Sequence, residues 1–369
     1  MKIGFDGKRA EHNSSGLGNY SRDVIRGLCA LESANEYVLY SPKKGDGFDF
    51  GHDRLQRKYP SAWKDRLAPA LWRRKGIVSD LHEDGVDLFH GLSNELPSGI
   101  DAFNGKSIVT VHDLIFERFP DYYKRIDRMI YRSKTKEACA SADRIIAISE
   151  RTKKDLIEFY RVPAEKIAVV YQTCHPGFQK EVKPETVQQI RTGYQLPEKY
   201  VLQVGTIEPR KNVLGSLEVL AMLDKTTLVL VGRKTDHQKE VDQRIADLGL
   251  ENRVKILDDV PMAFLPALYK GAQLTLYPSF FEGFGIPIIE SLFQGTPVVA
   301  NAKGCFKEAA GAFGTYVDVH KPESIVEGVR AASRRESHTI ELEEHLQKFT
   351  LERTTRALYN EYLRVVKNR

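Results

Sequence analysis

Residues 200–232 read YVLQVGTIEPRKNVLGSLEVLAMLDKTTLVLVG, in which two apolar runs rich in β-branched residues flank a helical one. The two runs are short and lack the polar alternation of a half-exposed strand, so we expect strands that are buried on both faces. Short connections from strand to helix to strand favour a right-handed crossover between parallel strands. This stretch therefore predicts a parallel α/β sheet.

The same alternation extends in both directions along the chain. The other runs that read as strands are KIGFD, YVLYS, LFHG, SIVTVHD, RIIAIS and IAVVY before the stretch, and RVKIL, LTLYPS and PVVAN after it. A polar segment with two prolines, residues 181–200, lies between the halves, and 369 residues exceed what one core usually serves. We expect two doubly wound, Rossmann-like α/β domains, 1–180 and 181–350, with a final helix at about 351–369 that could pack back on the first.

The composition is that of an ordinary globular protein, with 41% hydrophobic and 28% charged residues. Its four cysteines have no C-x-x-C spacing, and a chain of this size does not need disulfides for stability. The start lacks the apolar run of a signal peptide, and no segment approaches the roughly 18 apolar residues of a membrane span. We expect a cytoplasmic protein.

The loop TIEPRKN, residues 206–212, joins a predicted strand to a predicted helix. Ligands of open parallel sheets bind at the carboxyl ends of the strands. Arg210 and Lys211 would there stand beside the unsatisfied amides of a helix start, an arrangement suited to a diphosphate. A solvated basic turn is the alternative, since exposed Arg-Lys pairs are common.

The segment PSFFEGFGIPIIE, residues 278–290, follows another predicted strand end. Its glycines would let the backbone approach a ligand, and Pro287 suits a first helical turn. We place Glu282 in the loop and Glu290 in the first turn of the helix, where both could bind hydroxyl groups of a sugar nucleotide. The predicted amide donors are those of Gly283, Phe284, Gly285 and Ile286.

The segments GTIEPRKN and PSFFEGFGIPIIESLFQGTPVVAN resemble the family 4 retaining glycosyltransferases of GT-B architecture, in which two Rossmann-like domains face a cleft. Glu282 and Glu290 match the family's E-x7-E motif. The resemblance implies that Glu290 binds the ribose and that Glu282 contacts the donor sugar and supports oxocarbenium-like charge. It also implies that Arg210 and Lys211 grip the diphosphate and stabilise it as it leaves.

Four residues of the first half extend the resemblance. Gly16 and Gly18 precede a predicted helix, where relatives use such a loop near the donor phosphates and the acceptor. His112 and Asp113 end a predicted strand, where a lone histidine is more often structural than catalytic. The family, however, places an HD pair beside the donor. The resemblance therefore implies that His112 contacts the donor sugar and that Asp113 organises the wall of the cleft beside it. At residues 172–174 the chain reads QTC where many relatives carry an Asn-Gly turn.

The resemblance is strongest to bacterial mannosyltransferases of surface polysaccharide (O-antigen or capsule) assembly. It implies transfer of a hexose, namely mannose from GDP-mannose, to a glycan or a lipid-linked glycan with retention of the anomeric configuration. It implies neither a cofactor nor a metal ion, and no Asp-x-Asp metal motif follows a predicted strand. A UDP-hexose transferase is the alternative donor assignment. A nucleotide-sugar epimerase, or a non-catalytic module that binds sugar nucleotides, is the alternative from another class.

The segment DRLQRKYPSAWKDRLAPALWRRKG, residues 53–76, combines many cations with Trp63 and Trp72. Such a composition is typical of a surface that meets an anionic membrane, which would place the protein at its inner face. A solvated basic face with both tryptophans in the core is equally compatible. Nucleic acid is a poorer partner, because no recognised binding module accompanies the charge.

Overall fold

A computed structural model of the chain describes residues 1–13, 15–32, 34–45, 48, 50, 55–333 and 339–367. The chain forms two compact units, Met1–Thr173 with Leu351–Arg369, and Cys174–Thr350. The division thus falls between Thr173 and Cys174 rather than at 180, and the final helix belongs to the first unit. Within the described part of the chain, none of the helices combines the length and apolar character needed to cross a bilayer.

The first unit contains a sheet of seven parallel strands in the order β3-β2-β1-β4-β5-β6-β7. Six of these match the predicted runs. The edge strand β3 is an addition, because its polar sequence LQRK has no apolar pattern. The strands are β1 Lys2–Asp6, β2 Glu36–Tyr40, β3 Leu55–Lys58, β4 Leu88–Gly91, β5 Lys106–Val111, β6 Arg144–Ala147 and β7 Ile167–Val169.

Helices cover this sheet, and Ser149 caps the one that begins at Glu150, as its sequence predicts, by accepting a 3.0 Å hydrogen bond from the amide of Thr152. The α-helices are Lys8–His12, Gly16–Leu31, Trp63–Leu67, Pro69–Leu71, Ile77–Glu83, Ile115–Arg118, Arg125–Ser141, Glu150–Tyr160 and Leu351–Lys367. A π-helical turn, Trp72–Gly76, joins two of them.

The final helix, Leu351–Lys367, is anchored in the core of the first unit. Leu358 and Tyr362 pack in the same apolar cluster as strand β1. The Tyr362 hydroxyl lies 2.5 Å from Nδ1 of the buried His90, and Glu361 forms an ion pair with Arg144 on β6. The final helix therefore packs in the same core as the first strand, and buried apolar area and satisfied polar groups stabilise this packing.

The second unit contains a sheet of six parallel strands in the order β10-β9-β8-β11-β12-β13. The prediction of two parallel-sheet α/β domains is confirmed; the edge strand β13 was not among the predicted runs. The order reverses between β8 and β11, and the loops that follow these two strands therefore diverge and leave a crevice. The strands are β8 Val201–Val204, β9 Leu228–Val231, β10 Val254–Leu257, β11 Leu274–Tyr277, β12 Val298–Asn301 and β13 Gly314–Val317.

In the described part of the second unit, helices surround the sheet and bury Leu217, Val241 and Ile325 in one apolar cluster with strands β8, β9 and β11. The polar segment 181–200 contributes the first of these helices. Their bounds are Pro184–Gly193, Val213–Ala221, Gln238–Asp247, Leu265–Gly271, Ile286–Phe293, Phe306–Ala310, Pro322–Ala332 and Ile340–Gln347.

Candidate active site

The loops after β8 and β11 bring Arg210, Lys211 and Glu282 together in the second unit. Arg210 and Lys211 lie on the 3-10 turn Pro209–Lys211, and Asn212 follows in a left-handed conformation and caps the helix Val213–Ala221. Glu282 lies in the loop between β11 and the helix Ile286–Phe293. The strand order therefore explains why residues about 70 positions apart meet.

Glu282 lies between the two cations. Lys211 Nζ donates to Oε1 of Glu282 at 2.6 Å, and Arg210 forms an ion pair with Oε2. Arg210 also pairs with Glu208 and donates to the carbonyl oxygen of Phe281 at 2.8 Å. All three site side chains are largely buried, so the arrangement is a fixed cluster and not the solvated basic turn that was the alternative.

The charges of this cluster determine its protonation. Burial raises the pKa of Glu282, but the charges of Lys211 and Arg210 outweigh it and bring that pKa to about 2. Burial would lower the pKa of Arg210, whereas the carboxylates of Glu282 and Glu208 hold it above its usual range. At neutral pH the cluster therefore contains an ionised Glu282 carboxylate and a charged Arg210 guanidinium.

The backbone of the Glu282 loop is held by Cys305. This thiol is buried, and its Sγ donates to the carbonyl oxygens of Glu282, at 3.2 Å, and of Phe284. Gly285 has φ of +146°, a conformation that disfavours a side chain, and it immediately precedes the helix Ile286–Phe293. Of the predicted amide donors, Gly283 and Phe284 lie in the loop, Gly285 is the residue before the helix, and Ile286 is its first residue.

Glu290 is the fifth residue of the helix Ile286–Phe293 and so lies in its second turn, not in the first as predicted from sequence, because the helix already begins at Ile286, before Pro287. Its carboxylate is buried, and Oε2 accepts a 2.8 Å hydrogen bond from the Tyr269 hydroxyl. Burial raises the pKa of Glu290 to about 7, against the hydrogen bond from Tyr269, which lowers it. The two acids of the motif therefore differ in charge near neutral pH.

Tyr277, at the end of β11, lies beside Lys211 of the cluster. Its hydroxyl accepts a 3.2 Å hydrogen bond from Lys211 Nζ, and its ring lies under the same ammonium group at 5.1 Å. Burial, with the charge of Glu282, raises the pKa of Tyr277 well above its usual range.

In the first unit, Gly16 and Gly18 lie in the first turn of the helix Gly16–Leu31 rather than before it, where the sequence predicts them. A Cβ atom at Gly18 would lie 1.7 Å from the carbonyl oxygen of Asn13, so this position requires glycine for packing. A Cβ atom at Gly16 would meet nothing within 4 Å. Of the two predicted glycines, Gly16 is thus the one with space for an approaching ligand, while Gly18 has a structural reason of its own.

His112 and Asp113 follow β5, and both ring nitrogens of His112 have partners. Nε2 lies 2.9 Å from the Leu92 carbonyl oxygen, which can only accept, so Nε2 carries the hydrogen and Nδ1 accepts from Gln172 Nε2 at 3.0 Å. Burial lowers the pKa of His112 to about 4, against the Leu92 hydrogen bond. Asp113 Oδ1 accepts from the amide of Ile115. A neutral imidazole in this setting can present its ring to a sugar but holds no mobile proton at pH 7.

His112 and Asp113 line a cavity of about 230 Å³ in the first unit, together with Asn94 and Leu17. Among the described residues, no three His, Cys, Asp or Glu side chains converge as a metal site would require. The cations available to a phosphate in the second unit's cluster are those of Arg210 and Lys211.

Sequence reasoning did not identify Tyr269, Tyr277, Cys305 or Gln172. Tyr277 ends a predicted strand that leads into the site, so its position was a signal that could have been used. Tyr269 lies in the helix Leu265–Gly271 and Cys305 directly precedes the helix Phe306–Ala310. Their contacts with Glu290 and with the Glu282 loop form only in the folded chain. Gln172 lies in the segment that departs from the family's usual turn, and the departure was the available signal.

Both halves of the chain match families of sugar-transferring enzymes. Residues 14–174 match Glycosyltransferase Family 4 and residues 187–352 match Glycosyl transferases group 1. The O-antigen chain mannosyltransferase B of Escherichia coli is 27% identical over 98% of this chain and 99% of its own. The O-antigen chain mannosyltransferase RfbU of Salmonella typhimurium is 30% identical over 57% of this chain and 56% of its own.

A solved structure supports the same fold. HepE of Anabaena, in complex with UDP and glucose, superposes with a TM-score of 0.75 at 20% identity over 98% of this chain and 99% of its own. The two family matches cover nearly the whole chain, and the seven- and six-stranded parallel sheets agree with them. The chain belongs to the family 4 glycosyltransferases with the GT-B fold.

Proposed function

We propose that the protein transfers mannose from GDP-mannose to a glycan acceptor in the synthesis of a surface polysaccharide, with retention of the anomeric configuration. The observation that carries the chemistry is the buried cluster of Arg210, Lys211 and Glu282 where the sheet order reverses. The choice of mannose is supported by the names of the two O-antigen relatives.

In this proposal the diphosphate of the donor competes with Glu282 for Arg210 and Lys211. The two cations would bind it and offset the negative charge that grows on it as the glycosidic bond breaks. Glu282, released toward the sugar and still ionised, would accept hydrogen bonds from sugar hydroxyls and stabilise positive charge near the anomeric carbon. Attack from the same face as the departing phosphate would retain the configuration, without a metal ion.

The remaining assignments follow the family resemblance. Glu290 would accept from the ribose hydroxyls, with Tyr269 fixing the carboxylate's orientation. The amides of Gly283 to Ile286 would approach the donor. In the first unit, we assign Gly16 and Gly18 to the phosphate and acceptor loop, His112 to a contact with the donor sugar, and Asp113 to the position of that wall.

The decisive experiment measures transfer by the purified protein from a panel of GDP- and UDP-hexoses to a lipid-linked glycan, with NMR of the product's anomeric carbon. We expect GDP-mannose to be preferred, an α-linked product, and a loss of about 10²-fold or more in rate for Arg210→Ala. Arg330→Ala, which removes an exposed arginine of the same unit, is the matched control.

Each alternative has its own outcome in this experiment. Preference for a UDP-hexose would replace the donor assignment and keep the transferase. Conversion of the nucleotide sugar to its epimer with no acceptor present would identify an epimerase. Nucleotide-sugar binding without turnover of any donor would leave only the binding module, and inversion at the anomeric carbon would contradict the proposed mechanism.

A further inference from the structure

The basic stretch at residues 53–76 divides into interior and exposed parts, and residues 53–54 lie outside the described part of the chain. Trp72 is buried and its Nε1 donates to Asp80 at 2.8 Å. Arg73 forms ion pairs with Asp6 and Glu95. The prediction for the stretch is therefore wrong at these two residues, which belong to the interior of the unit.

The residues just before them are exposed and apolar. Trp63 and Leu67 each have 76% of their surface in contact with solvent, and Leu71 has 56%. Trp63 and Leu67 are four residues apart on one short helix, so they lie on the same face. Large apolar side chains with this exposure form an apolar surface patch, and such patches are typical of interaction surfaces rather than of solvated loops.

The helix Arg125–Ser141 presents a second exposed apolar stripe. Ile126, Met129 and Ile130 are 72%, 62% and 45% exposed, and their spacing of three and four residues puts them on one side of the helix. The residues of this helix that are buried, Thr135, Ala138 and Cys139, lie in its C-terminal half. The N-terminal half therefore turns its apolar side to solvent.

These two segments flank one opening. A cavity of about 730 Å³ is lined by Pro69 and Arg74 from the first segment and by Lys134 from the helix Arg125–Ser141. Glu95 joins them as well, because it forms ion pairs with both Arg73 and Lys134. We name this surface of the first unit the docking face, with the apolar members Trp63, Leu67, Leu71, Ile126, Met129 and Ile130.

The charge of the docking face is strongly positive. Residues 63–75 and 124–130 carry eight Lys or Arg and two Asp, and only Arg73 of these cations is withdrawn into the interior by two carboxylates. Exposed cations beside the apolar members are Lys64, Arg66, Arg74, Lys75, Lys124 and Arg125. A face of this kind complements a surface that is negative outside and apolar beneath.

We propose that the docking face binds the surface of an anionic lipid bilayer. The apolar side chains would enter the boundary between headgroups and acyl chains, and the surrounding cations would approach the anionic headgroups. A bilayer offers both features over the width of two helices. The contact extends the hypothesis for residues 53–76 to a second helix, and it is independent of which sugar the enzyme transfers.

Tryptophan fluorescence tests this contact at one residue. The chain has two tryptophans, and Trp72 is buried, so a blue shift on adding vesicles, or quenching by brominated lipid, reports Trp63. We expect both signals with vesicles of phosphatidylcholine and phosphatidylglycerol at 7:3, and neither with phosphatidylcholine alone. High salt should reduce the signals.

Co-sedimentation of two variants tests the two components separately. The apolar variant is Leu67→Gln with Ile126→Gln and Met129→Gln; the charge variant is Lys64→Gln with Arg66→Gln and Arg125→Gln. Each should lose about tenfold or more in partition to anionic vesicles. Ile340→Gln changes an exposed isoleucine of the second unit and should bind as wild type does. All changed side chains are exposed, and equal melting temperatures verify that the variants are folded.

Three results would overturn the proposal: no preference of wild type for anionic vesicles, no signal from Trp63, or equal binding by the variants and wild type. A dimer that the apolar variant separates into monomers would assign the face to a second copy instead. Transfer to a soluble acceptor does not require a bilayer, so these outcomes are distinct from failure of the proposed reaction.

Discussion

The Tyr269 hydroxyl donates to Glu290 at 2.8 Å in the interior of the second unit, and the carboxyl group it contacts has a pKa of about 7. Glu282, eight residues earlier, has a pKa of about 2 because Lys211 and Arg210 surround it. One motif thus contains an acid that titrates near neutrality and an acid that stays ionised. Their different responses to pH and mutation distinguish their roles.

We first predict that Glu290 makes stability depend on pH. Its pKa is raised in the folded state, so between about pH 4.5 and pH 7 the folded protein holds more protons than the unfolded one, and stability falls as pH rises through this window. The full effect corresponds to roughly 3 kcal/mol. Melting temperatures at pH 5, 6, 7 and 8 should show this fall in wild type and not in Glu290→Gln. Identical pH profiles would contradict the buried titration.

We next predict that the two acids differ in nucleotide binding. Glu290→Ala should weaken binding of GDP and of UDP, because its proposed partners are ribose hydroxyls. Glu282→Ala should reduce transfer without weakening these affinities, because the diphosphate then no longer competes with a carboxylate for Arg210 and Lys211. In wild type the affinity should rise from pH 6 to pH 8 as Glu290 ionises. Calorimetric titration of GDP measures each case, with Glu327→Ala as the control for an exposed glutamate of this unit. Equal affinities of wild type and Glu290→Ala would remove the ribose assignment.

The Lys211–Glu282 ion pair predicts a strong energetic coupling. Removing the ammonium group in Lys211→Met leaves a buried carboxylate with one cation fewer, which should cost about 3 kcal/mol or more. Lys211→Met combined with Glu282→Gln should recover part of that loss, because no unpaired charge remains. Urea unfolding of the four proteins of the cycle gives the coupling energy. Strict additivity would mean that the pair contributes nothing.

Transfer by the same variants should behave differently from stability. Lys211→Met should lower the rate by about 10²-fold, since the proposed role of the ammonium group is to offset charge on the leaving diphosphate. The added Glu282→Gln change should not restore this rate even where it restores stability. Recovery of both together would mean that Lys211 serves only to neutralise Glu282.

Chelation should leave transfer intact. Arg210 and Lys211 already place two positive charges where a divalent ion would otherwise offset a diphosphate. Assays of transfer with excess EDTA, compared with assays in added Mg²⁺ or Mn²⁺, measure this directly. Loss of activity in EDTA that either ion restores would contradict the metal-free proposal.

The parallel sheets were predictable because their central strands are apolar on both faces, as in LVLV of β9. The edge strand β3 was not, because LQRK carries no such pattern and one face of an edge strand can be polar. The helix Pro184–Gly193 buries only Ile190, so its polar sequence has a weak apolar pattern and its bounds are hard to predict. The periodicity of apolar residues predicts helices and strands that bury a face. It does not predict the unit boundary at Thr173, because that boundary depends on contacts between residues distant in sequence.

The proximity of Arg210, Lys211 and Glu282 was predictable from their positions after strands of one sheet. The ion pairs among them were not predictable, because the position of a residue after a strand does not determine where its side chain points. The pairing of Gln172 with His112 joins residues 60 positions apart. Trp72 is buried and bonded to Asp80 while Trp63 is exposed, a difference that the composition of the stretch does not contain. The sequence therefore predicts which kinds of side chain occur at a site more readily than which residues each of them contacts.

The last prediction concerns Cys305, whose thiol contacts the backbone of the Glu282 loop. Its thiol donates to the carbonyl oxygens of Glu282 and Phe284, so Cys305→Ala removes the tether on both sides of Gly283. The loss of hydrogen bonding should cost about 1 kcal/mol, or about 2–4 °C in melting temperature.

The effect of Cys305→Ala on turnover should exceed what that small destabilisation explains. A Glu282 carboxylate whose backbone is no longer fixed should lower kcat severalfold and leave KM for the donor nearly unchanged, because the proposed role of Glu282 is in transfer and not in nucleotide binding. Cys305→Ser retains a donor and should keep most of the activity. Cys139→Ala makes the same change at a buried cysteine of the first unit and should lower stability without changing kcat. If Cys305→Ala and Cys139→Ala have the same kcat, the thiol contributes to packing only.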